Sequence, residues 1–189
     1  NRFISKEVEK EKLNLILEAA ISAPSVGYSQ PWKFIIIEDE NIKGEVRQNF
    51  DAENDKAKEI FSDRELYAKL KLEGIKEAPI NIAVVYENND EHTIGMTSMK
   101  RMGEYSVVCA IQNMWLMARA LNIGLGWVSI INHKEVLKML EIPKKTPHSS
   151  IKLVAYLCIG YVDKFYEESE LKTAGWKEEK TLSECVSYK

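Results

Sequence analysis

Two short stretches hold the polar and backbone groups best suited to chemistry. The first is APSVGYSQPW, residues 23–32. Pro24 fixes the backbone, Ser25 offers a hydroxyl, and Gly27 allows a second body to approach the main chain closely. The amides of Val26 and Gly27 add donors for an acceptor-rich ring edge. The second stretch is GLGWVSI, residues 124–130. Gly124 and Gly126 thin the backbone at one spot, and Ser129 follows within three residues of Gly126. A hydroxyl beside such backbone can reach a planar cofactor. Both stretches also suit plain structural duty: a helix end with a rigid turn, and a helix cap feeding a core strand with Trp127 as packing.

Other chemistries lack their fingerprints. No G-x-S-x-G elbow surrounds Ser129 and no His–Asp pair lies nearby, which argues against a serine hydrolase. Neither G-x-G-x-x-G nor G-x-x-x-x-G-K-[ST] occurs, and the glycines at 124 and 126 follow a helix where a dinucleotide fold would place a strand. Cys109, Cys158 and Cys185 are far apart, and His92, His133 and His148 are isolated, so no metal site is expected. Cys109 and Cys158 lie in apolar runs and read as small core residues. The 26 basic and 29 acidic residues of the 189 are interleaved, with a net charge of −3, so no nucleic-acid partner is expected. No apolar run is long enough to cross a membrane. The cysteine usage points to a reducing, cytoplasmic setting.

The elements that must position these stretches follow from periodicity. Leu13, Ile16, Leu17, Ala20 and Ile21 repeat at helical spacing, with glutamates near the start, and Pro24 ends that helix. Residues 34–37 form a β-rich run. Residues 42–67 are charged and helical, and LYAKLKLEGI (66–75) extends them until Gly74. INIAVVY (80–86) is a strand, and residues 88–93 are a polar, mobile link. Residues 104–121 are apolar almost all round, which predicts a helix buried on every side and capped by glycine. Residues 133–140 form a short helix, and 151–161 a strand covered on both faces. The polar tail is irregular. The order predicts one α+β domain spanning residues 1–189, a mixed sheet flanked by helices. So apolar a helix in so short a chain also suggests two copies packing across an interface.

Taken together, the two stretches resemble the FMN-dependent nitroreductase superfamily, whose members carry Ala-Pro-Ser and then Gln-Pro-Trp before a strand. This chain has Ala23-Pro24-Ser25 and Gln30-Pro31-Trp32. LKLEGIKEAP (70–79), YSVVCAIQNMWLMARA (105–120), GLGWVSI, LCIGYVDKFYEESEL (157–171) and GW (175–176) narrow the resemblance to the dimethylbenzimidazole synthase, or flavin destructase, subgroup. It covers nearly the whole chain, from about Phe3 onward.

The resemblance implies an intertwined homodimer with two FMN sites. Pro24, Ser25, Val26 and Gly27 would meet the flavin of the neighbouring copy, Gln30 would also bind the cofactor, and Gly126, Trp127, Val128 and Ser129 would lie along the ring's other side. The subgroup's reaction consumes reduced FMN and oxygen and yields dimethylbenzimidazole, the lower ligand of cobalamin. Ser129 matches the serine beside the reacting edge and is the catalytic candidate. The subgroup's phosphate-binding Arg-Arg-Asp-x-Arg stretch precedes the residues shown, and Arg2 stands for its last basic position. The arginine after GW is absent here, and Lys180, ahead of Lys177, stands in as a point charge, without a bidentate fork. The related alternatives are an NAD(P)H-dependent nitroreductase or dehalogenase that recycles FMN, and a flavin-binding protein without turnover.

Overall fold

The computed structural model describes residues 2–88, 92–143, 145–146 and 149–189, with only the backbone described at 88, 145–146 and 149–150. His148 and part of the link expected over 88–93 lie outside the described residues. The first helix, α1 (Lys10–Ile21), turns Ile16 and Ala20 inward. β1 (Trp32–Ile37) follows, and then α2 (Glu40–Ile60), whose first turn is capped by the Asp39 carboxylate accepting from the amides of Asn41 and Ile42. The helix does not extend through 66–75. A single 3-10 turn (Tyr67–Lys69) interrupts an irregular path to β2 (Ile80–Asn88). That path is held by the buried Lys43, whose Nζ donates to the carbonyls of Ala78 (3.2 Å) and Pro79 (2.8 Å) and to Glu40 Oε1 (2.8 Å).

α3 (Met102–Ala120) crosses to β3 (Gly124–Val128). Its cap is made by Asn122 at φ 56, where a glycine was expected; the Ile123 amide reaches back to the Ala118 carbonyl at 2.8 Å. α4 (His133–Met139), β4 (Lys145–Thr146) and β5 (Ser149–Gly160) follow, then two short helices, α5 (Glu170–Thr173) and α6 (Leu182–Cys185).

The sheet runs β1-β2-β5-β3, with β4 beside β5. A mixed sheet was expected, yet every pairing among the described strands is antiparallel. The reason lies in α3. It joins β2 and β3, which point the same way, but leaves a gap one strand wide between them. β5 fills the gap antiparallel to both. Helices flank both faces. Ile80, Ile82 and Val84 of β2 with Ala155, Leu157 and Ile159 of β5 meet α1 and α3. Ala83, Val85, Leu153, Tyr156 and Cys158 meet α2 and α4. The central β5 is therefore apolar on both faces, as its unbroken run implies.

α3 corrects a second expectation. It is not buried all round: Val107, Ala110, Ile111, Met114 and Ala118 face the core, while Tyr105, Val108, Trp115 and Leu116 are exposed, Leu116 by 63%. Cys109 lies on the exposed stripe, whereas Cys158 is buried. An apolar helix is thus left with an uncovered side. Among the described residues no helix is long and apolar enough to cross a membrane, and no group of His, Cys, Asp and Glu could hold a metal ion.

Candidate cofactor site

The turn after α1 is built from left-handed backbone. Gly27 (φ 55), Tyr28 (φ 53) and Gln30 (φ 45) all take positive φ within four residues. Such values are costly for tyrosine and glutamine, so the surroundings must hold them. Ser25 Oγ accepts the Gln30 amide at 3.1 Å, which ties the turn across its own mouth. The Val26 amide donates to Ser106 Oγ at 3.0 Å, and Ser106 in turn donates to the Met102 carbonyl. That fixes the turn on the first turn of α3. It also takes the Val26 amide out of the set of free donors expected from the sequence. A Cβ on Gly27 would lie 2.8 Å from Ile94 O and 2.8 Å from Thr93 Cγ2. The close approach at Gly27 is therefore made by the chain's own 93–95 segment, over the wall of the turn. Pro24, Gly27, Tyr28 and Gln30 remain exposed on its outer side.

The second stretch borders a groove of about 470 Å³, within the usual range for small-molecule sites. Gly124, Gly126, Trp127 and Val128 form one side. Lys71, Glu73 and Gly74 of the irregular segment before β2 form another, and Trp115 and Arg119 of α3, Phe165 and Phe3 close it. The two glycines of β3 differ. A Cβ on Gly124 would clash with Val162 Cγ1, so that glycine serves packing. A Cβ on Gly126 would meet nothing within 4 Å, and its φ is not positive. Neither backbone conformation nor internal packing requires glycine there. The space it leaves opens on the groove, and it suits the flat face of a ring lying against the strand.

The groove wall at 73–75 is braced from below. Glu73 accepts from Arg47 Nη1 (2.8 Å) through one oxygen and from the Ile75 amide (2.8 Å) through the other. Asn81 Nδ2 donates to the Ile75 carbonyl. Cys158 of β5 lies beside the groove but is buried; burial pushes its thiol pKa up to about 12, so it stays a neutral S–H. With its carboxylate fully engaged, Glu73 acts as a brace. None of the site residues expected from the sequence lies in LKLEGI. The available signal was a lysine, an acid and a glycine within one hexapeptide that no regular element claims.

The structure brings Gly126, Trp127 and Val128 together on the groove. Arg2 lies at an adjoining cavity, which also contains Lys69 and Lys71. Ser129 follows the end of β3 and is exposed. Lys180 is exposed in the tail, beyond Trp176, whose ring packs at 5.7 Å from that of Phe61, and it lines neither cavity. Pro24, Ser25, Val26, Gly27 and Gln30 are elsewhere: they precede β1, at one edge of the sheet, whereas β3 is the other edge. With β2 and β5 between them, β1 and β3 are separated by three strand spacings, about 14 Å. Within one chain, the two stretches do not meet.

The nitroreductase family model matches residues 2–161. The chain is 36% identical over 179 residues to 5,6-dimethylbenzimidazole synthase of Rhodospirillum rubrum, covering 93% of this chain and 82% of that protein. A BluB-like flavoprotein from Clostridium difficile 630 superposes with a TM-score of 0.68 at 19% identity, covering 99% of this chain and 92% of that one. A putative nitroreductase in complex with FMN from Desulfovibrio desulfuricans gives 0.68 at 22% identity, covering 100% and 89%. At these identities the two structures speak to the fold.

Proposed function

Because the chain belongs to the nitroreductase family, we propose that it is an FMN-dependent oxidoreductase of the dimethylbenzimidazole synthase type, acting as a homodimer on reduced FMN and oxygen. The observation that carries this reading is the placement of the two candidate stretches at opposite edges of one sheet. A ring cannot be pressed between them within a single chain. A second copy solves the problem, the turn of one chain closing the groove of the other. The uncovered stripe of α3, with Tyr105, Val108, Trp115 and Leu116, is the apolar surface such a dimer would bury. The relative at 36% identity bears the name of the same synthase.

When bound, reduced FMN supplies both the electrons and the ring from which the benzimidazole is made. The chain's own residues bind, orient and shield it. Gly126 lets the ring lie on the β3 backbone, and Trp127 and Val128 border it. Phe3, Trp115 and Phe165 give the groove apolar walls that exclude water. Ser129, exposed at the end of β3, offers a hydroxyl that can donate to or accept from the ring edge, holding a proton where charge develops. Arg2 supplies positive charge toward the phosphate.

The test is to supply chemically reduced FMN, admit oxygen and chromatograph the mixture. Dimethylbenzimidazole should form as FMN disappears. Ser129→Ala should bind FMN normally and lower product formation roughly ten- to a thousandfold, the range for a lost transition-state hydrogen bond. Quantitative return of intact FMN would instead assign the recycling chemistry of an NAD(P)H-dependent nitroreductase.

A further inference from the structure

We infer that Trp176 is a positioning residue: it clasps the C-terminal tail onto the segment that follows α2, and so holds together two walls of the groove and slows release of the flavin. This rests on the flavin reading above and adds to it a control on how long the ligand stays.

The path from Phe61 to Pro79 belongs to no strand and holds a single 3-10 turn. Its second half is braced by Lys43, Arg47 and Asn81. Its first half is held by aromatic rings. Tyr67 is buried, its ring stacked on that of Phe61 with centroids 4.9 Å apart and planes 20° apart. Its hydroxyl donates to Asn54 Oδ1 of α2 at 2.9 Å. Trp176 brings a third ring from the far end of the chain. It lies edge-on to Phe61 at 5.7 Å and 70°, and 6.3 Å from Tyr67, while the Arg64 guanidinium lies 4.6 Å from its centroid.

The tail is shaped to deliver that ring. α5 closes on Gly175 at φ 75, whose amide donates to the Lys172 carbonyl at 2.9 Å, and the Trp176 amide donates to the Leu171 carbonyl at 2.8 Å. This pair of bonds turns the chain back at the end of the helix and sets the direction in which Trp176 leaves it. Residues 173–175 and 177–180 are exposed, whereas Trp176 is half-buried. The ion pairs of Lys172 with Glu168 and Glu179 stay within the tail, so they do not fasten it to α2.

Both elements that the rings join border the groove. A cavity of about 690 Å³ has Lys69–Leu72, just past Tyr67, on one side and Glu170, Leu171, Thr173 and Ala174 of the tail on another. Lys71, Leu72 and Glu170 line the groove as well. Trp176 lines neither space, so it acts through the spacing of their walls. Parting those walls breaks the ring contacts, and the clasp therefore opposes release without touching the flavin.

Stopped-flow dilution, read by recovery of flavin fluorescence, times FMN release from the full chain. Trp176→Ala, folded by circular dichroism, should release FMN about tenfold faster, the scale of a few aromatic and cation–π contacts. Trp176→Phe keeps an edge contact with Phe61 and should stay within about threefold of the native rate. Phe61→Ala should match Trp176→Ala, and the double variant should be no faster than either. Tryptic cleavage at the exposed Lys177 and Lys180 gives a second readout, one that a merely structural tail would not move. If the clasp and the flavin are coupled, each stabilises the other, so FMN should slow this cleavage in the native chain and leave it unchanged in Trp176→Ala. A folded Trp176→Ala that releases FMN at the native rate overturns the inference, as does native cleavage that FMN does not slow. A native chain that binds no FMN overturns the flavin reading itself.

Discussion

Gly27 and Gly126 mark the two edges of the sheet, and they are glycines for opposite reasons. Gly27 has positive φ, and residues 93 and 94 press against the place its Cβ would occupy. Gly126 has ordinary φ and faces empty space. The first is required by the chain's own packing. The second is not, which is consistent with the cofactor-facing role proposed for it. The turn at the β1 edge is held rigid by its own hydrogen bonds and leaves Pro24, Gly27, Tyr28 and Gln30 exposed; the β3 edge borders a groove of about 470 Å³. In the proposed dimer each edge would contribute half of the cofactor site.

The largest effect should come from separating the halves. Leu116→Glu places a charge on the exposed stripe of α3, leaving the core face intact. It should convert a dimer to a monomer by light scattering and abolish FMN binding, with the fold retained by circular dichroism. A monomeric variant that still binds FMN would show that one chain suffices, and the comparison of half-sites would break.

Gly27→Val should come next. Strain at positive φ and overpacking against Thr93 and Ile94 together predict a loss of roughly 2–6 kcal/mol in denaturant unfolding. A variant of native stability would mean that the 93–95 segment yields easily and that the turn is not a fixed wall.

Gly126→Ala should reverse the pattern. No atom opposes the methyl, so stability should stay the same or rise by about 0.4–1 kcal/mol through the unfolded chain. FMN affinity should fall about tenfold, or roughly 1.4 kcal/mol, because the methyl lifts the ring from the strand. Unchanged affinity would place the ring elsewhere in the groove.

Thiol labelling gives the finest discrimination. Cys185 should alkylate readily and Cys158 not at all in the folded protein, because burial keeps its thiol neutral and covered. Cys109, on the α3 stripe, should be protected in the proposed dimer and become reactive in the Leu116→Glu variant. Equal reactivity in both would separate Cys109 from the interface.

Much of this was legible locally. The turn could be read from APSVGYSQPW because proline, glycine and paired serines constrain the chain within a few residues. The apolar run of β5 announced a strand covered on both sides. The extent of α3 was also clear, but its exposed stripe was not: an apolar pattern all round the helix has no preferred face, and the side left bare is decided by where α1 and the sheet happen to lie. Cys109 was misplaced for the same reason. LKLEGI was visible as a motif, yet its part in the groove depends on Phe3, Arg47, Asn81 and Cys158 reaching it from four other segments.

By itself, the sequence determined most of the helices and strands, the rigid turn, the thin backbone at β3 and the family to which the chain belongs. These follow from backbone sterics and apolar periodicity over short stretches, where neighbours in sequence are neighbours in space. Only the tertiary structure decided that β5 enters between β2 and β3, since strand order depends on long-range pairing that no local pattern encodes. That insertion drives the two chemical stretches to opposite edges. It also decided which glycine makes room for protein and which leaves room for something else, because the space beside a backbone is defined by side chains from distant parts of the chain.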